Sequence, residues 1–184
     1  MPEMTDMLEQ LLGGQGDRIG ARIGADEHQT RTAISVAIPS LIAALSQEAE
    51  RGSGLRQAIA EDHDGSILDD LSGYLDGTAG LSPRTTDGAG ILEHVFGSQK
   101  EGVERTLSSK TGISMDTITQ LLPILAPIVL GVLGKQTRSG SGSDAGSSGF
   151  GLDDLGSLLG GEAATATARF PEIGDLLSQL GQRR

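Results

Sequence analysis

Apolar residues are densest between Ile113 and Lys135, where the stretch Leu121–Leu133 contains no polar side chain. A bilayer-spanning helix needs about 20 consecutive apolar residues, whereas shorter runs are more typical of core helices. Gln120 precedes this run and Lys135 follows it, so a longer span would place polar groups in hydrocarbon. We therefore predict a buried helix here rather than a membrane segment.

The residues around this helix predict where it starts and that it bends. Ser114 is a suitable N-cap, and Ile113 and Ile118 occupy the two positions of a hydrophobic staple. Pro123 and Pro127 each lack an N–H group, and each ring crowds the carbonyl four residues earlier. We expect a bent helix whose apolar face curves around a partner.

Two glycines at the end of the same stretch, Gly131 and Gly134, carry no side chain that would keep a neighbouring backbone away. A helix face of this kind suits close contact with another helix. We predict that it contributes to self-association.

A second apolar stripe lies in the first half of the chain. Asp26 is the predicted N-cap of a helix that runs to about Arg51, and Gly52 ends it. Its apolar residues recur with helical spacing, and a proline interrupts them. Over the two helices, the predicted core or interface positions are Ile34, Ile38, Pro39, Leu41, Leu45, Leu122, Pro123, Leu125, Pro127, Leu130 and Leu133.

The two halves of the chain resemble each other. A shift of 88 residues (112 − 24) places Gly24 on Gly112 and Pro39 on Pro127. A second match, at a shift of 84 residues (152 − 68), aligns LDDLSGYL with LDDLGSLL. We interpret these matches as two diverged copies of one unit, because repeated units bury faces that a single unit leaves exposed.

The pattern as a whole predicts an all-α protein, a helical bundle built from two copies of a helix–glycine–bent helix unit. Residues 1–97 would form the first unit with short helices and a loop, and residues 98–136 the second unit with the central apolar helix. Residues 137–150 are rich in Gly and Ser and are predicted to be a flexible linker. Residues 151–184 would carry amphipathic C-terminal pieces.

The composition of the chain argues against several classes of function. The chain has 184 residues and a net charge of −11, which argues against binding to a nucleic-acid backbone. It has no cysteine, so disulfides and thiolate ligands are excluded. The N-terminal residues lack the basic and apolar regions of a signal peptide, so we expect a cytoplasmic protein.

The strongest candidate for a polar functional cluster in the sequence surrounds His63, which lies between Asp62 and Asp64. It does not match a calcium-binding loop, and we interpret it as an exposed acidic turn. His28 and His94 are interpreted as surface histidines, because no nucleophile motif accompanies them. We predict no catalytic, metal-binding or cofactor-binding residue and no cofactor.

Several segments carry a resemblance to a known family: IGADEHQTRTAISVAIPSLIAAL, HVFGSQKEGVERTLSSK, TGISMDTITQLLPILAPIVLGVLGKQ and LDDLGSLLGG. Together they resemble the bacterial family called domain of unknown function 937, with a distant similarity to YidB-like proteins. The resemblance covers about residues 5–161. It implies a helical bacterial protein and supplies no catalytic residue.

The sequence therefore predicts a non-enzymatic structural or interaction protein that self-associates through its apolar helices as a homo-oligomer. The alternative is a binding module for an apolar ligand or a lipid surface. Membrane contact is less favoured, because anionic lipids repel an acidic chain. The identity of a protein partner does not follow from the sequence.

Overall fold

The computed structural model describes residues 4–51, 54–97, 100–139 and 155–169. These residues are almost entirely helical and include no strand, which confirms the all-α prediction. The α-helices are α1 Met4–Gly13, α2 Gly16–Ile23, α3 Glu27–Arg51, α4 Gly54–Glu61, α5 Leu71–Asp76, α6 Pro83–Thr86, α7 Gly88–Phe96, α8 Lys100–Thr111, α9 Met115–Ser139 and α10 Leu155–Arg169. A short 3-10 helix, Ser66–Leu68, precedes α5.

The two long helices α3 and α9 pack against each other in the core, and each spans 25 residues. Both continue through their internal prolines. The positions predicted as core or interface are buried, except that Pro123 is half-buried. Helices α7 and α8 pack on α9, while α1, α2 and α10 pack on α3.

Each long helix begins in the same way. Gly24 and Gly112 precede α3 and α9 with φ angles of 68° and 70°, a left-handed conformation that glycine adopts without steric cost. The Asp26 carboxylate accepts a hydrogen bond from the Gln29 N–H at 2.8 Å, and the Ser114 hydroxyl accepts one from the Thr117 N–H at 3.2 Å. These observations fit two copies of one unit, although duplication itself stays a prediction.

The glycine face of α9 is covered by the chain itself. A Cβ atom on Gly134 would overlap the carbonyl oxygen of His63, and one on Gly131 would lie 2.5 Å from Ile67 Cγ2. The close backbone approach inferred from these glycines is present, but the neighbour is the segment before α5. In this structure the glycine face is therefore not exposed to a second copy of the chain.

The start of the predicted linker at residue 137 is wrong. Helix α9 continues to Ser139, and Thr137 within it is 5% exposed. Arg138 lies 3.5 Å from the carboxylate of Asp64, with which it forms an exposed ion pair. Residues 140–154 and the C-terminal residues 170–184 lie outside the described part of the chain, and the other predicted boundaries remain predictions.

Among the described residues, two helical segments are long and apolar enough to cross a membrane: Glu27–Ala49 and Met115–Arg138, with mean hydropathies of 1.3 and 1.9. Their most apolar windows are 72% and 78% buried inside the fold. The two helices pack against each other and against neighbouring helices. This burial favours core helices, as predicted for the Leu121–Leu133 stretch.

Candidate functional site

A cleft of about 520 Å³ opens where α2, α5, α7 and α9 meet. Its position depends on the proline-containing part of α9, because Pro123 and Ile124 form one wall. The remaining wall residues come from α2, from α5 and the loop after it, from the end of α6, from the start of α7 and from the first half of α9. They are Arg22, Tyr74, Gly77, Ala79, Leu81, Thr86, Asp87, Gly88, Ala89 and Gln120.

Arg22 is held against the end of α5 at the edge of this cleft. Its Nη1 donates hydrogen bonds to the carbonyl oxygens of Tyr74 at 3.1 Å and Leu75 at 3.0 Å. These carbonyls lie in the last turn of α5, where the helix dipole favours a cation. The guanidinium carbon also lies 5.8 Å from the centre of the Tyr74 ring, within the range of a cation–π contact. Arg22 therefore has a fixed position in the cleft.

Tyr74 joins α5 to α9. Its hydroxyl donates a hydrogen bond to the Ile124 carbonyl oxygen at 3.2 Å, and the residue is 6% exposed. Burial raises the pKa of Tyr74 to about 12, and the nearby Arg22 opposes this shift only in part. The hydroxyl thus stays protonated at neutral pH and remains a donor to α9.

The contact between α7 and α9 at the cleft depends on Pro127 and Gly88. Because Pro127 has no N–H group, the Pro123 carbonyl lacks the usual helical donor four residues later. Gly88 packs directly on that carbonyl, and a Cβ atom at this position would overlap it. Asp87 caps α7 by accepting a hydrogen bond from the Gly90 N–H at 2.9 Å. The proline in α9 and the glycine in α7 therefore fix the cleft width together.

The cleft combines apolar walls with a few fixed polar groups, an arrangement that is common in small-molecule sites. It contains a cation, a carboxylate, an amide and a phenol. A nucleophile paired with a general base is not among its residues. Over the described residues, no group of three or more potential metal ligands occurs.

The three histidines lie in different environments. His28 is exposed, and His94 has an exposed side chain with Nε2 3.7 Å from a carboxylate oxygen of Glu48. His63 differs from its interpretation as part of an exposed turn, because it is 3% exposed. Of its two acidic neighbours, Asp62 is half-buried and Asp64 is exposed, whereas the His63 side chain is buried and its backbone carbonyl lies against Gly134 of α9. The predicted acidic turn therefore hides a buried titratable group.

Sequence reasoning missed the cleft because its residues are far apart in the chain. Arg22 and Tyr74 lie 52 positions apart, and Tyr74 and Ile124 lie 50 positions apart. The scarcity of aromatic residues was the one available signal, since Tyr74 is the only tyrosine in the chain. That signal was insufficient, because a single tyrosine has no sequence spacing to other residues that would predict a cleft.

These features define an all-α protein with two long core helices and an amphipathic cleft beside the proline-containing turn of one of them. Residues 6–136 match the family described as bacterial protein of unknown function (DUF937), and the chain belongs to that family. This confirms the family resemblance seen in the sequence. No curated protein and no solved structure matches the chain.

Proposed function

We propose that this protein is a non-enzymatic binding module that holds a small amphipathic ligand in the cleft beside Pro123. The observation that carries this proposal is the fixed position of Arg22 and Tyr74, which backbone carbonyls hold at the cleft wall. Polar groups that are already in place lose little entropy when a ligand binds. The cleft volume of about 520 Å³ lies in the range of small-molecule sites.

The long apolar helices then serve as the scaffold of the module. Their apolar side chains are already buried within the chain, so they contribute stability and leave little apolar surface for a partner. The apolar body of a ligand would lie against Ala79, Leu81 and Ile124, and a negatively charged end would face Arg22.

A fluorescent amphipathic anion, 1-anilinonaphthalene-8-sulfonate, tests the cleft. We expect its emission to rise on binding and the emission of Tyr74 to fall, since the chain has no tryptophan. Ala89→Leu fills the cleft and should weaken binding by about tenfold, equivalent to about 1.4 kcal/mol. Arg22→Gln should also weaken it, because the sulfonate loses its cationic partner.

The matched control is Ala164→Leu, at an exposed position of α10 that does not line the cleft. It should leave the affinity unchanged. Equal binding to the wild type and to Ala89→Leu, with both proteins folded, would show that the dye binds elsewhere and would refute the cleft as the ligand site.

Self-association is the second candidate, and one observation favours it. Within the described residues, Met7 and Leu11 are the large apolar side chains that stay exposed, at 40% and 37%. They lie one turn apart on the same face of α1. Two copies paired through this face would bury both side chains, although the net charge of −11 opposes the approach.

Sedimentation equilibrium at several salt concentrations tests this candidate. We expect a dimer that strengthens as salt increases from about 0.01 M to about 1 M, because the Debye length falls from about 30 Å to about 3 Å. Leu11→Lys should abolish the dimer, while Gln10→Lys, the same charge change at an exposed neighbour, should not. A monomer under all of these conditions would exclude self-association through α1.

A further inference from the structure

Residues 62–68, here called the latch, connect α4 to α5 and lie on the C-terminal half of α9. Three contacts fix the latch. The His63 carbonyl lies against Gly134, Gly65 lies against the backbone of Gly131 and Lys135, and Ile67 covers Gly131. Gly65 has a φ angle of 94°, a conformation that disfavours any other residue. The latch therefore fits α9 closely and only along its glycine face.

His63 is the one histidine buried in this contact. It is 3% exposed, and its Nδ1 atom is buried without a hydrogen-bond partner. A buried polar atom without a partner weakens the closed arrangement even when the ring is neutral. Adding a proton would bury a charge as well, which costs more unless a counter-charge pairs with it.

Charged groups lie close to the latch in the chain itself, on α9 and on the α6–α7 side. Asp62 and Asp64 flank His63 in the chain, and on α9 Arg138 lies 3.5 Å from Asp64. Lys135 lies 3.7 Å from Asp69, just beyond the latch. Both ion pairs are largely exposed, so they hold the latch weakly. On the α6–α7 side, Asp62 lines a cavity of about 220 Å³ whose other charged or titratable residues are Arg84, Asp87 and His94.

We propose that the latch is a pH-sensitive cover of the glycine face of α9, which opens when the buried His63 imidazole takes up a proton. Protonation gives His63 a charge that the closed site does not solvate. The ring then moves into water, and the carbonyl of His63 and the side chain of Ile67 leave Gly134 and Gly131 with it. The opened face is the one that suits close contact with another helix.

The direction of the pH effect follows from burial. Burial lowers the pKa of His63 from its ordinary value of 6.5, and the negative charges of Asp62 and Asp64 oppose this shift only in part. The closed state therefore binds the proton less well than the open state does. The latch is most stable above pH 6.5, and it loses stability as the pH falls from 6.5 to the closed-state pKa. Below that pKa both states bind the proton, so the stability of the closed latch no longer changes with pH.

Amide hydrogen exchange of the full chain measures this opening. The Leu68 and Asp69 N–H groups donate to the carbonyls of Gly65 and Ser66 at 3.0 Å and 3.1 Å, so their exchange reports the latch. The measured rates are first corrected for the intrinsic dependence of amide exchange on pH. In the wild type, we then expect the exchange of these two amides to accelerate as the pH falls, by up to about tenfold per pH unit in the range where His63 takes up its proton. The imidazole NMR signal of His63 should titrate with a pKa below 6.5.

Two variants make the test specific to His63. His63→Gln removes the titrating group and should give corrected exchange rates that do not change with pH. The matched control His94→Gln removes an exposed histidine and should keep the pH dependence of the wild type. A pH-independent latch in the wild type, an imidazole pKa at or above 6.5, or an unchanged pH dependence in His63→Gln would each overturn the proposal.

A third variant opens the latch without a proton. In Gly134→Ala, the new methyl group overlaps the His63 carbonyl, so exchange at Leu68 should be fast already at neutral pH. Gly102→Ala adds the same methyl group where nothing lies within 4 Å and should leave exchange at Leu68 unchanged. Slow exchange in Gly134→Ala would show that the latch does not depend on this contact and would overturn the proposal. These outcomes do not depend on ligand binding in the cleft.

Discussion

Leu122→Ala is expected to lower the free energy of unfolding by about 2–5 kcal/mol, the range measured for buried leucines. Leu122 is 0% exposed and lies in the apolar run of α9, a helix that packs against α3, α7 and α8. The truncation removes apolar contacts and leaves a cavity that the close-packed neighbouring helices fill only in part. Since domains are stable by about 5–15 kcal/mol, this loss is a large fraction of the total. Urea unfolding followed by circular dichroism measures it.

A matched truncation at the surface provides the control. Leu11→Ala removes the same atoms from a side chain that is 37% exposed, and should cost less than about 1 kcal/mol. Equal losses for Leu122→Ala and Leu11→Ala would contradict the burial of α9.

Ile34 is the position that corresponds to Leu122 in the first half of the chain, and it is 3% exposed. If the two positions are equivalent, Ile34→Ala should also be costly, and the double variant should deviate from additivity because α3 and α9 pack together. A harmless Ile34→Ala beside a strongly destabilising Leu122→Ala would show that the two halves are not equivalent.

Gly88→Ala is expected to destabilise the protein by about 3 kcal/mol, at the upper end of the usual cost of overpacking. A Cβ atom at Gly88 would overlap the carbonyl of Pro123, and a backbone obstacle does not rotate away as a flexible side chain does. The start of α7 must therefore move off α9, which also widens the cleft. Thermal and urea unfolding measure the loss.

Gly102→Ala is the control for this substitution. Gly102 is exposed within α8 and has nothing within 4 Å of its added methyl group. Alanine at such a position should stabilise the helix by about 0.5–1 kcal/mol, because it loses less backbone freedom on folding than glycine. A neutral or stabilising Gly88→Ala would mean that α7 does not pack on the Pro123 carbonyl.

Local features of the chain were predictable because their causes are local. The Ser114 N-cap, the burial of the Leu121–Leu133 stretch and the all-α class all follow from the types and spacing of nearby residues. The matching starts of α3 and α9 were also visible, since Gly24 and Gly112 have the same role in the sequence and the same conformation in the structure.

The features that the sequence did not predict depend on which segments meet. The sequence indicated an exposed turn at His63 because its neighbours are acidic. The residue is buried because its segment packs in the tertiary structure, with the His63 carbonyl against Gly134. Gly131 and Gly134 correctly indicated a close backbone contact but not its partner, which lies in the same chain. The linker was started too early because a polar residue such as Thr137 is buried here in the last turns of a helix.

The matching starts of α3 and α9 have a consequence for the order of folding. Helix α2 joins α3, and α8 joins α9, through a few residues around one left-handed glycine, so each helical hairpin closes a short loop. The contact between α3 and α9 closes a much longer loop, since the end of α3 and the start of α9 are 64 positions apart (115 − 51). Closing this loop has the larger entropic cost and slows folding. We therefore expect the two hairpins to form early. Docking of one hairpin on the other should follow late and limit the rate of folding. Substitutions in the glycine turns would then change the early steps, and substitutions between the long helices would change the rate of docking.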